Sequence, residues 1–206
     1  VTTSDEEEEL TFAVQWVEKF HDSATTSQGR RVYWGRVATG MAQVGDKVRV
    51  FPSGQQAIVK EVLTAVRLPT SVAAGHSAGI VLDREVDLSR GDWLLAGQSS
   101  LQPSKQLDVT VAWLDDEPLV AGRVYWALHG HQWVKAKVAS ITNRLDIHSL
   151  ESLPATELSP NAIGHVQLSF QQPLITLPYS RSKALGSMVL VDTASHKTSA
   201  AVMVQG

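Results

Sequence analysis

The sequence contains no cysteine, no long apolar run and no excess of positive charge. Without cysteine there can be no disulfide and no cysteine-ligated zinc site, which fits a reducing compartment. No apolar stretch approaches the ~20 residues that a membrane-spanning helix needs, and the N-terminal residues lack the pattern of a signal peptide. These absences predict a cytoplasmic protein with no membrane partner.

Charge is distributed unevenly along the chain. Residues 1–103 hold 10 Lys/Arg and 13 Asp/Glu, whereas residues 104–206 hold 8 of each. The acidic run Asp5–Glu9 accounts for this asymmetry, and we interpret residues 1–10 as a solvated acidic linker. Because neither half is strongly basic, the composition argues against nucleic acid as a partner.

Short segments rich in β-branched and aromatic residues dominate the first half of the chain. Pairs such as Gly45-Asp46 and Gly91-Asp92 separate them, and these pairs favour tight turns. The predicted strands are Thr11–Val17, Arg31–Val37, Lys47–Phe51, Ala57–Val66, Ala78–Leu82 and Trp93–Ala96. Frequent short strands favour a closed barrel, because closure removes exposed strand edges.

The strand pattern stops at a polar stretch around Pro103 and then restarts. The second set of predicted strands is Leu107–Leu114, Arg123–Leu128, Trp133–Thr142, Gly164–Phe170, Ser187–Val191 and Thr198–Val204. The interval Asp146–Asn161 is interpreted as a long crossing loop, with no helix beyond a turn near Glu151. The sequence therefore predicts an all-β fold of two tandem small β-barrels, over residues 11–102 and 103–206.

Catalytic and metal-binding motifs are missing from the sequence. None of the fourteen glycines belongs to a Gly-x-x-x-x-Gly-Lys-Ser/Thr phosphate loop, and the Asn-Lys-x-Asp guanine-binding motif does not occur. His129 and His131 flank Gly130, but two histidines without further ligands favour a polar hairpin tip over a metal site. Ser187 lies in no Gly-x-Ser-x-Gly sequence. We therefore predict no catalytic, cofactor-binding or metal-binding residue in this chain.

Three other features have an ordinary structural interpretation. His76, between Gly75 and Ser77, is expected in a surface turn. The tripeptide Arg90-Gly91-Asp92 precedes an apolar segment, where it favours a strand-entry turn over an adhesion site. Tryptophans can stack on nucleic-acid bases, but their apolar surroundings favour packing within or between the barrels for most of the six. They are Trp16, Trp34, Trp93, Trp113, Trp126 and Trp133.

Val37-Ala38-Thr39-Gly40 and Val44-Gly45-Asp46-Lys47-Val48 combine a strand-ending glycine with a Gly-Asp turn. Glycine allows the positive φ of a tight turn, and Asp46 can accept hydrogen bonds from nearby backbone N–H groups. The two motifs resemble the second domain of translation-type GTPases such as elongation factor Tu. That resemblance implies that the two barrels correspond to domains 2 and 3 of such a GTPase.

Several longer segments narrow the resemblance to one branch. In the first half they are Val14-Gln15-Trp16-Val17, Val50-Phe51-Pro52-Ser53-Gly54 and Glu85–Asp92. In the second half they are Gly122–Tyr125, Ile141–Asp146, Tyr179–Arg181 and Gly186–Asp192. In this order and spacing they resemble the large GTPase subunit of bacterial sulfate adenylyltransferase, over nearly the whole chain after the acidic start.

The resemblance implies a division of work within that enzyme. GTP and Mg²⁺ would bind in an N-terminal phosphate-loop domain of the same parent chain, not in these barrels. The partner would be a smaller catalytic subunit that makes adenosine 5′-phosphosulfate and pyrophosphate from ATP and sulfate. The barrels would dock the GTPase domain and the catalytic subunit as rigid bodies, without being an enzyme on their own.

Loop position provides the candidate contact residues. The candidate loops are 67–75, 83–90 and 146–162. The candidate residues are Arg67, His76, Asp87, Arg90, Arg144 and Asp146.

Two other functions remain open. An RNA- or tRNA-binding module would need a basic face. The side chains that would have to converge are those of Arg30, Arg31, Arg36, Lys47 and Arg49. The other hypothesis is an independent two-barrel scaffold.

Overall fold

The computed structural model describes residues 8–20, 30–66, 68–99, 101–130 and 132–205. Within these ranges the chain forms seventeen β-strands and no helix, so the all-β prediction is confirmed. A membrane-spanning helix is accordingly not found in the described segments. The chain divides into two compact units, Val1–Ser100 and Leu101–Gly206, and the predicted boundary between residues 102 and 103 lies close to this division.

The first unit is a closed barrel. Its strands pair in the order β1-β2-β7-β5-β4-β8, and β8 pairs with β1 to close the ring. The short strands β3 and β6 pair separately. The strands are β1 (Thr11–Phe20), β2 (Arg30–Thr39), β3 (Met41–Ala42), β4 (Lys47–Phe51), β5 (Gln56–Leu63), β6 (Val72–Ala73), β7 (Ser77–Leu82) and β8 (Trp93–Ala96).

Alternate residues of these strands point into the first barrel, which is why the sequence shows a period of two. In β4, Val48 and Val50 are buried, whereas Lys47 is exposed. Phe12, from β1, is among the largest fully buried side chains of this core. The strand predicted to run to Val66 ends at Leu63, because Thr64 begins a turn.

The second unit is also a closed barrel. Its strands pair in the order β11-β16-β17-β9-β15-β12, and β12 pairs with β11 to close the ring. The strand β13 pairs with the end of β12 and is not part of the ring. The remaining strands, β10 and β14, pair with each other. The strands are β9 (Ser104–Trp113), β10 (Leu119–Val120), β11 (Val124–His129), β12 (Gln132–Leu145), β13 (Ser152–Pro154), β14 (Glu157–Leu158), β15 (Ile163–Leu174), β16 (Ser187–Val191) and β17 (Thr198–Val204).

Aromatic side chains fill part of the second core. Trp113 and Tyr125 meet edge to face, with ring centroids 5.5 Å apart, a favoured geometry for aromatic pairs. The indole Nε1–H of Trp113 donates a hydrogen bond to the carbonyl oxygen of Glu117 at 2.7 Å. Burial of the ring therefore leaves its polar atom satisfied.

The segment Asp146–Asn161 is not an unpaired crossing loop, and that prediction is wrong. It contains β13, which pairs with the end of β12, and β14, which pairs with β10. Leu158 of β14 is fully buried in the second core. Strands of two or three residues are too short to show hydrophobic periodicity, which is why the sequence did not reveal them.

Candidate docking surfaces

The structure places the candidate residues of the first barrel at opposite ends of β7. His76 is exposed in the turn before β7, as predicted, whereas Asp87 and Arg90 are exposed in the loop after it. Arg67 lies outside the described residues. The two candidate loops of this barrel therefore do not form one continuous surface, and their docking role stays a prediction.

The loop after β7 is held in a defined conformation. The backbone N–H of Asp87 donates to Oε1 of Gln55 at 2.5 Å, and the side chains of Val86 and Leu88 are buried in the core. A loop that is anchored in this way needs little ordering when it binds a partner, which lowers the entropic cost of association.

The Arg-Gly-Asp tripeptide forms the strand-entry turn that the sequence predicts. Gly91 has a φ of +91°, and its N–H donates to the carbonyl oxygen of Val14 at 2.9 Å. Oδ2 of Asp92 accepts a hydrogen bond from the N–H of Ser89 at 2.9 Å. Burial raises the pKa of the Asp92 carboxyl, an effect that this hydrogen bond opposes.

The Gly45-Asp46 turn also has its predicted geometry. Gly45 has a φ of +93°, and Oδ2 of Asp46 accepts a hydrogen bond from the N–H of Gln43 at 2.9 Å. The N–H of Gly45 donates to the carbonyl oxygen of Val59 at 2.8 Å. Both Gly-Asp pairs therefore form tight turns between strands of the first barrel.

The second barrel places two candidate residues at the end of β12. Arg144 is exposed near the end of β12, and Asp146 begins the next turn. Oδ1 of Asp146 accepts hydrogen bonds from the N–H groups of Ser149 (3.0 Å) and His148 (2.8 Å). These bonds, with a smaller contribution from the charge of Arg144, lower the pKa of the Asp146 carboxyl.

The described basic side chains do not form the face that the RNA hypothesis requires in the first barrel. Arg31 and Arg36 lie on β2, whereas Lys47 and Arg49 lie on β4. In the closed ring of six strands, two strands separate β2 from β4 in either direction, so β2 and β4 lie on opposite sides of the barrel. The side chain of Arg30 lies outside the described residues.

His129 does not lie in a polar hairpin tip, and that interpretation is wrong for this residue. Its side chain is only 1% exposed, and Nε2 lies 3.0 Å from the carbonyl oxygen of Leu185. Because a carbonyl oxygen can only accept, Nε2 carries the proton. Burial lowers the pKa of His129, and the bond to Leu185 opposes this. His131 lies outside the described residues.

Within the described ranges, no group of three or more His, Asp or Glu side chains lies close enough together to hold a metal ion.

The tryptophans divide between core and surface. Trp34, Trp93 and Trp113 are buried, as the sequence predicts, whereas Trp16 is 48% and Trp133 52% exposed. The ring of Trp16 stacks on Trp34 with centroids 5.8 Å apart. Trp16 and Trp133 therefore do not pack within a barrel core, because aromatic residues in a strand occupy either of its two faces. Packing between the barrels stays a prediction for these two residues.

An apolar depression, here called the outer hollow, lies on the outside of the second barrel. It has a volume of about 700 Å³. Its apolar lining consists of Trp126, Leu128, Trp133, Val189 and Val191. His196 and Thr198 complete its lining.

Sequence reasoning missed this site, although β11 carries a signal for it. In β11 the inward residues Tyr125 and Ala127 and the outward residues Trp126 and Leu128 are all apolar. A half-exposed strand normally alternates apolar and polar residues. Apolar residues on both faces of β11 therefore indicate that its outer face is a contact surface.

Comparison with known proteins gives a consistent result. Residues 106–205 match the family described as GTP-eEF1A C-terminal domain-like. Sulfate adenylyltransferase subunit 1 of Yersinia enterocolitica is 32% identical over 205 residues, which are 100% of this chain and 42% of that protein. The bifunctional enzyme CysN/CysC of Xylella fastidiosa is 35% identical over 185 residues, 90% of this chain and 29% of that protein.

Solved structures support the fold independently. The crystal structure of Sup35 complexed with GDP matches with a TM-score of 0.80 at 15% identity, over 98% of this chain and 48% of that chain. This likeness confirms the predicted fold of two tandem barrels. The chain spans less than half the length of these relatives. Residues 106–205 are thus similar to the GTP-eEF1A C-terminal domain-like family, and the whole chain is similar in sequence to sulfate adenylyltransferase subunit 1.

Proposed function

From the homology of this chain to sulfate adenylyltransferase subunit 1, we propose that it is the barrel portion of such a subunit. In that role it supports the GTP-coupled formation of adenosine 5′-phosphosulfate from ATP and sulfate. The observation that carries the proposal is the alignment of 205 residues, essentially the whole chain, to this subunit at 32% identity.

We assign GTP and Mg²⁺ to a phosphate-loop domain that these 206 residues do not include. A GTPase needs a glycine-rich loop whose N–H groups surround the phosphates, followed by Lys and Ser/Thr for phosphate and Mg²⁺. None of the fourteen glycines of this chain lies in such a sequence. The proposed work of the barrels is therefore to bind the GTPase domain and the catalytic subunit, and to transmit their nucleotide-dependent rearrangement.

The closed barrels suit such a role for a physical reason. Each has its own buried core, and closely packed cores resist gradual deformation. A rigid body can pass a change at one contact surface to another surface without dissipating it in local rearrangements. Anchored loops, such as the one after β7, add surfaces that are already ordered before binding.

A binding experiment tests the proposal directly. The 206-residue chain is immobilised and exposed separately to the purified catalytic sulfate adenylyltransferase subunit and to the phosphate-loop domain. We expect the chain to retain at least one of them and to compete with the full-length GTPase subunit for the catalytic subunit. Retention of neither protein, together with no competition, would refute the docking role.

The RNA-binding alternative receives no support from the arrangement of basic residues on β2 and β4. A titration of the chain with tRNA at low salt checks this, because phosphate contacts strengthen as salt is removed. We expect no saturable binding. Tight, salt-sensitive binding would restore the alternative.

A further inference from the structure

The outer hollow is built from three neighbouring strands, β11, β12 and β16. In one row across the sheet, Leu128 lies between Trp133 of β12 and Val189 of β16. In the next row, Trp126 lies between Lys135 of β12 and Val191 of β16. The apolar side chains are therefore direct cross-strand neighbours and form one continuous surface.

The side chains of the outer hollow do not belong to the core of the barrel. The core of the same strands is formed by their alternate residues, such as Tyr125, Val134 and Leu190. The barrel therefore fills its interior without the outer hollow. The outward apolar residues need an explanation other than folding.

The other side of the same barrel shows what an ordinary outer face looks like. There the outward residues of β15 include His165, Gln167 and Ser169, next to the apolar Ile163, and those of β9 include Asp108 and Thr110. Polar residues are the usual choice for a sheet face that meets water. The apolar face on β11, β12 and β16 is therefore local, and local apolar patches mark interaction sites.

Positive charge borders the outer hollow on its β12 side. Nζ of Lys135 lies 5.3 Å from the centroid of the Trp126 ring, within the range of a cation–π interaction. Lys137 is the next outward residue of β12 and is exposed. In the described part of this barrel, Arg123 pairs with Glu117, whereas neither Lys135 nor Lys137 has a carboxylate partner.

We propose that the outer hollow binds the catalytic subunit through a segment that carries apolar side chains next to a carboxylate. The apolar side chains would enter between Trp126 and Trp133, and the carboxylate would pair with Lys135. Tryptophans in a desolvated centre often supply much of the binding energy of an interface. This inference rests on the proposed function, because it names the surface through which that docking occurs.

The test compares the affinity of the full 206-residue chain and its variants for the purified catalytic subunit, by calorimetric titration. We expect Trp133→Ser to weaken binding at least about tenfold, because it removes an aromatic anchor. Lys135→Glu should also weaken binding, with a loss that shrinks at high salt. Trp133→Phe should retain most of the affinity of the unaltered chain, since phenylalanine keeps an aromatic ring at this position.

Trp16→Ser is the matched control, because Trp16 is a similarly exposed tryptophan in the first barrel. It should bind the catalytic subunit like the unaltered chain. The melting temperature of each second-barrel variant should remain close to that of the unaltered chain, since the substituted side chains lie outside the core. These two controls separate a loss of binding from a loss of folding.

The outcomes distinguish the inference from the function on which it rests. If the unaltered chain does not bind the catalytic subunit, the docking function itself is refuted for that partner. If it binds and Trp133→Ser binds equally well, only the assignment to the outer hollow is overturned. If Trp133→Ser instead abolishes self-association in sedimentation and leaves binding intact, the hollow joins two copies of the chain and the inference is wrong.

Discussion

At the scale of single residues, two turns of the second barrel share one design. Oδ1 of Asp146 accepts hydrogen bonds from the N–H groups two and three residues later along the chain. Oδ1 of Asp192 likewise accepts hydrogen bonds from the N–H groups of Ala194 and Ser195. The residue four positions after each aspartate donates its N–H back to the aspartate carbonyl. These residues, Leu150 and His196, both have a φ of +59°.

Replacement of Leu150 by glycine should stabilise the protein. A residue with a side chain in the left-handed region is strained by ~1–2 kcal/mol, a penalty that glycine avoids. Leu150 is 78% exposed, so little packing is lost with its side chain. We expect Leu150→Gly to raise the free energy of unfolding by about 1 kcal/mol in urea titrations, because glycine gives back part of the gain through its flexible unfolded state.

Leu150→Ala is the control for this change. Alanine also removes the exposed isobutyl group but keeps the Cβ that causes the strain. It should therefore give little or no stabilisation. Equal effects of glycine and alanine would show that the side chain, and not the backbone conformation, determines the result.

His129 should make the second barrel sensitive to mild acid. Because burial lowers its pKa below the ordinary value of 6.5, the unfolded chain takes up a proton at a higher pH than the folded chain. The stability from the neutral imidazole is present above pH 6.5 and is lost as the pH falls from there toward the folded pKa. Stability measured between pH 7.5 and 5 should decline in the native chain.

The variant His129→Gln tests the origin of this decline. Glutamine does not titrate, and its amide can still donate a hydrogen bond to the carbonyl oxygen of Leu185. We expect a less steep loss of stability between pH 6.5 and 5 than in the native chain. An unchanged slope would mean that other groups cause the acid sensitivity.

At the scale of strands, Gly79 of β7 makes room for an aromatic ring on the neighbouring strand. A Cβ at this position would lie 2.8 Å from Cζ3 of Trp34, well inside van der Waals contact. Trp34 can therefore lie across β7, where it packs with Val32, Leu63 and Val81 on the outside of the first barrel. This small apolar cluster stands apart from the central core.

Gly79→Ala should displace the Trp34 ring and destabilise the protein. Overpacking of this kind costs ~1–3 kcal/mol, measurable as a lower midpoint in urea. The fluorescence of Trp34 should shift to longer wavelength as the ring meets water. In the double variant Gly79→Ala/Trp34→Leu, the alanine should cost much less, since the smaller side chain leaves the space free. Additive effects of the two substitutions would contradict direct contact.

Several strands could be predicted from sequence to the residue. Segments such as Lys47–Phe51 and Ser187–Val191 alternate clearly between inward and outward positions, and the structure gives them the same bounds. The extra length of β12 and the existence of β13 and β14 could not be predicted. They depend on pairing with distant segments, as Asn143 with Pro154 or Leu119 with Leu158, and local periodicity contains no information about such partners.

The candidate site was much less predictable than the strands. Loop position indicated Arg144 and Asp146, which lie two residues apart at the end of β12, but it could not indicate the outer hollow. Trp126 and Trp133 line that hollow because the register of β11 and β12 aligns outward residues of two strands. Register follows from the whole sheet and is not visible in either segment alone.

At the scale of the whole chain, each unit has an independent core and a closed set of strand pairs. No strand pairing joins residues of Val1–Ser100 to residues of Leu101–Gly206 in the described part of the chain. Each unit, at about 100 residues, is of ordinary size for an autonomous domain. The two barrels should therefore fold separately.

Expression of residues 1–100 and 101–206 as separate fragments tests this expectation. Each fragment should give a well-dispersed amide NMR spectrum and a cooperative thermal transition. The fragments should need no mixing to acquire structure. A fragment that folds only when the other is added would show that its core is incomplete without it.

Strand closure also explains how such a protein can change its associations over evolutionary time. In both barrels the inward side chains of the strands form the central core, whereas most of the outward side chains lie outside it. Sup35 has the same architecture at a TM-score of 0.80 with only 15% identity, so this fold is compatible with very different sequences. A new binding specificity can therefore arise, or be engineered, by substitutions at outward positions that leave the buried core unchanged.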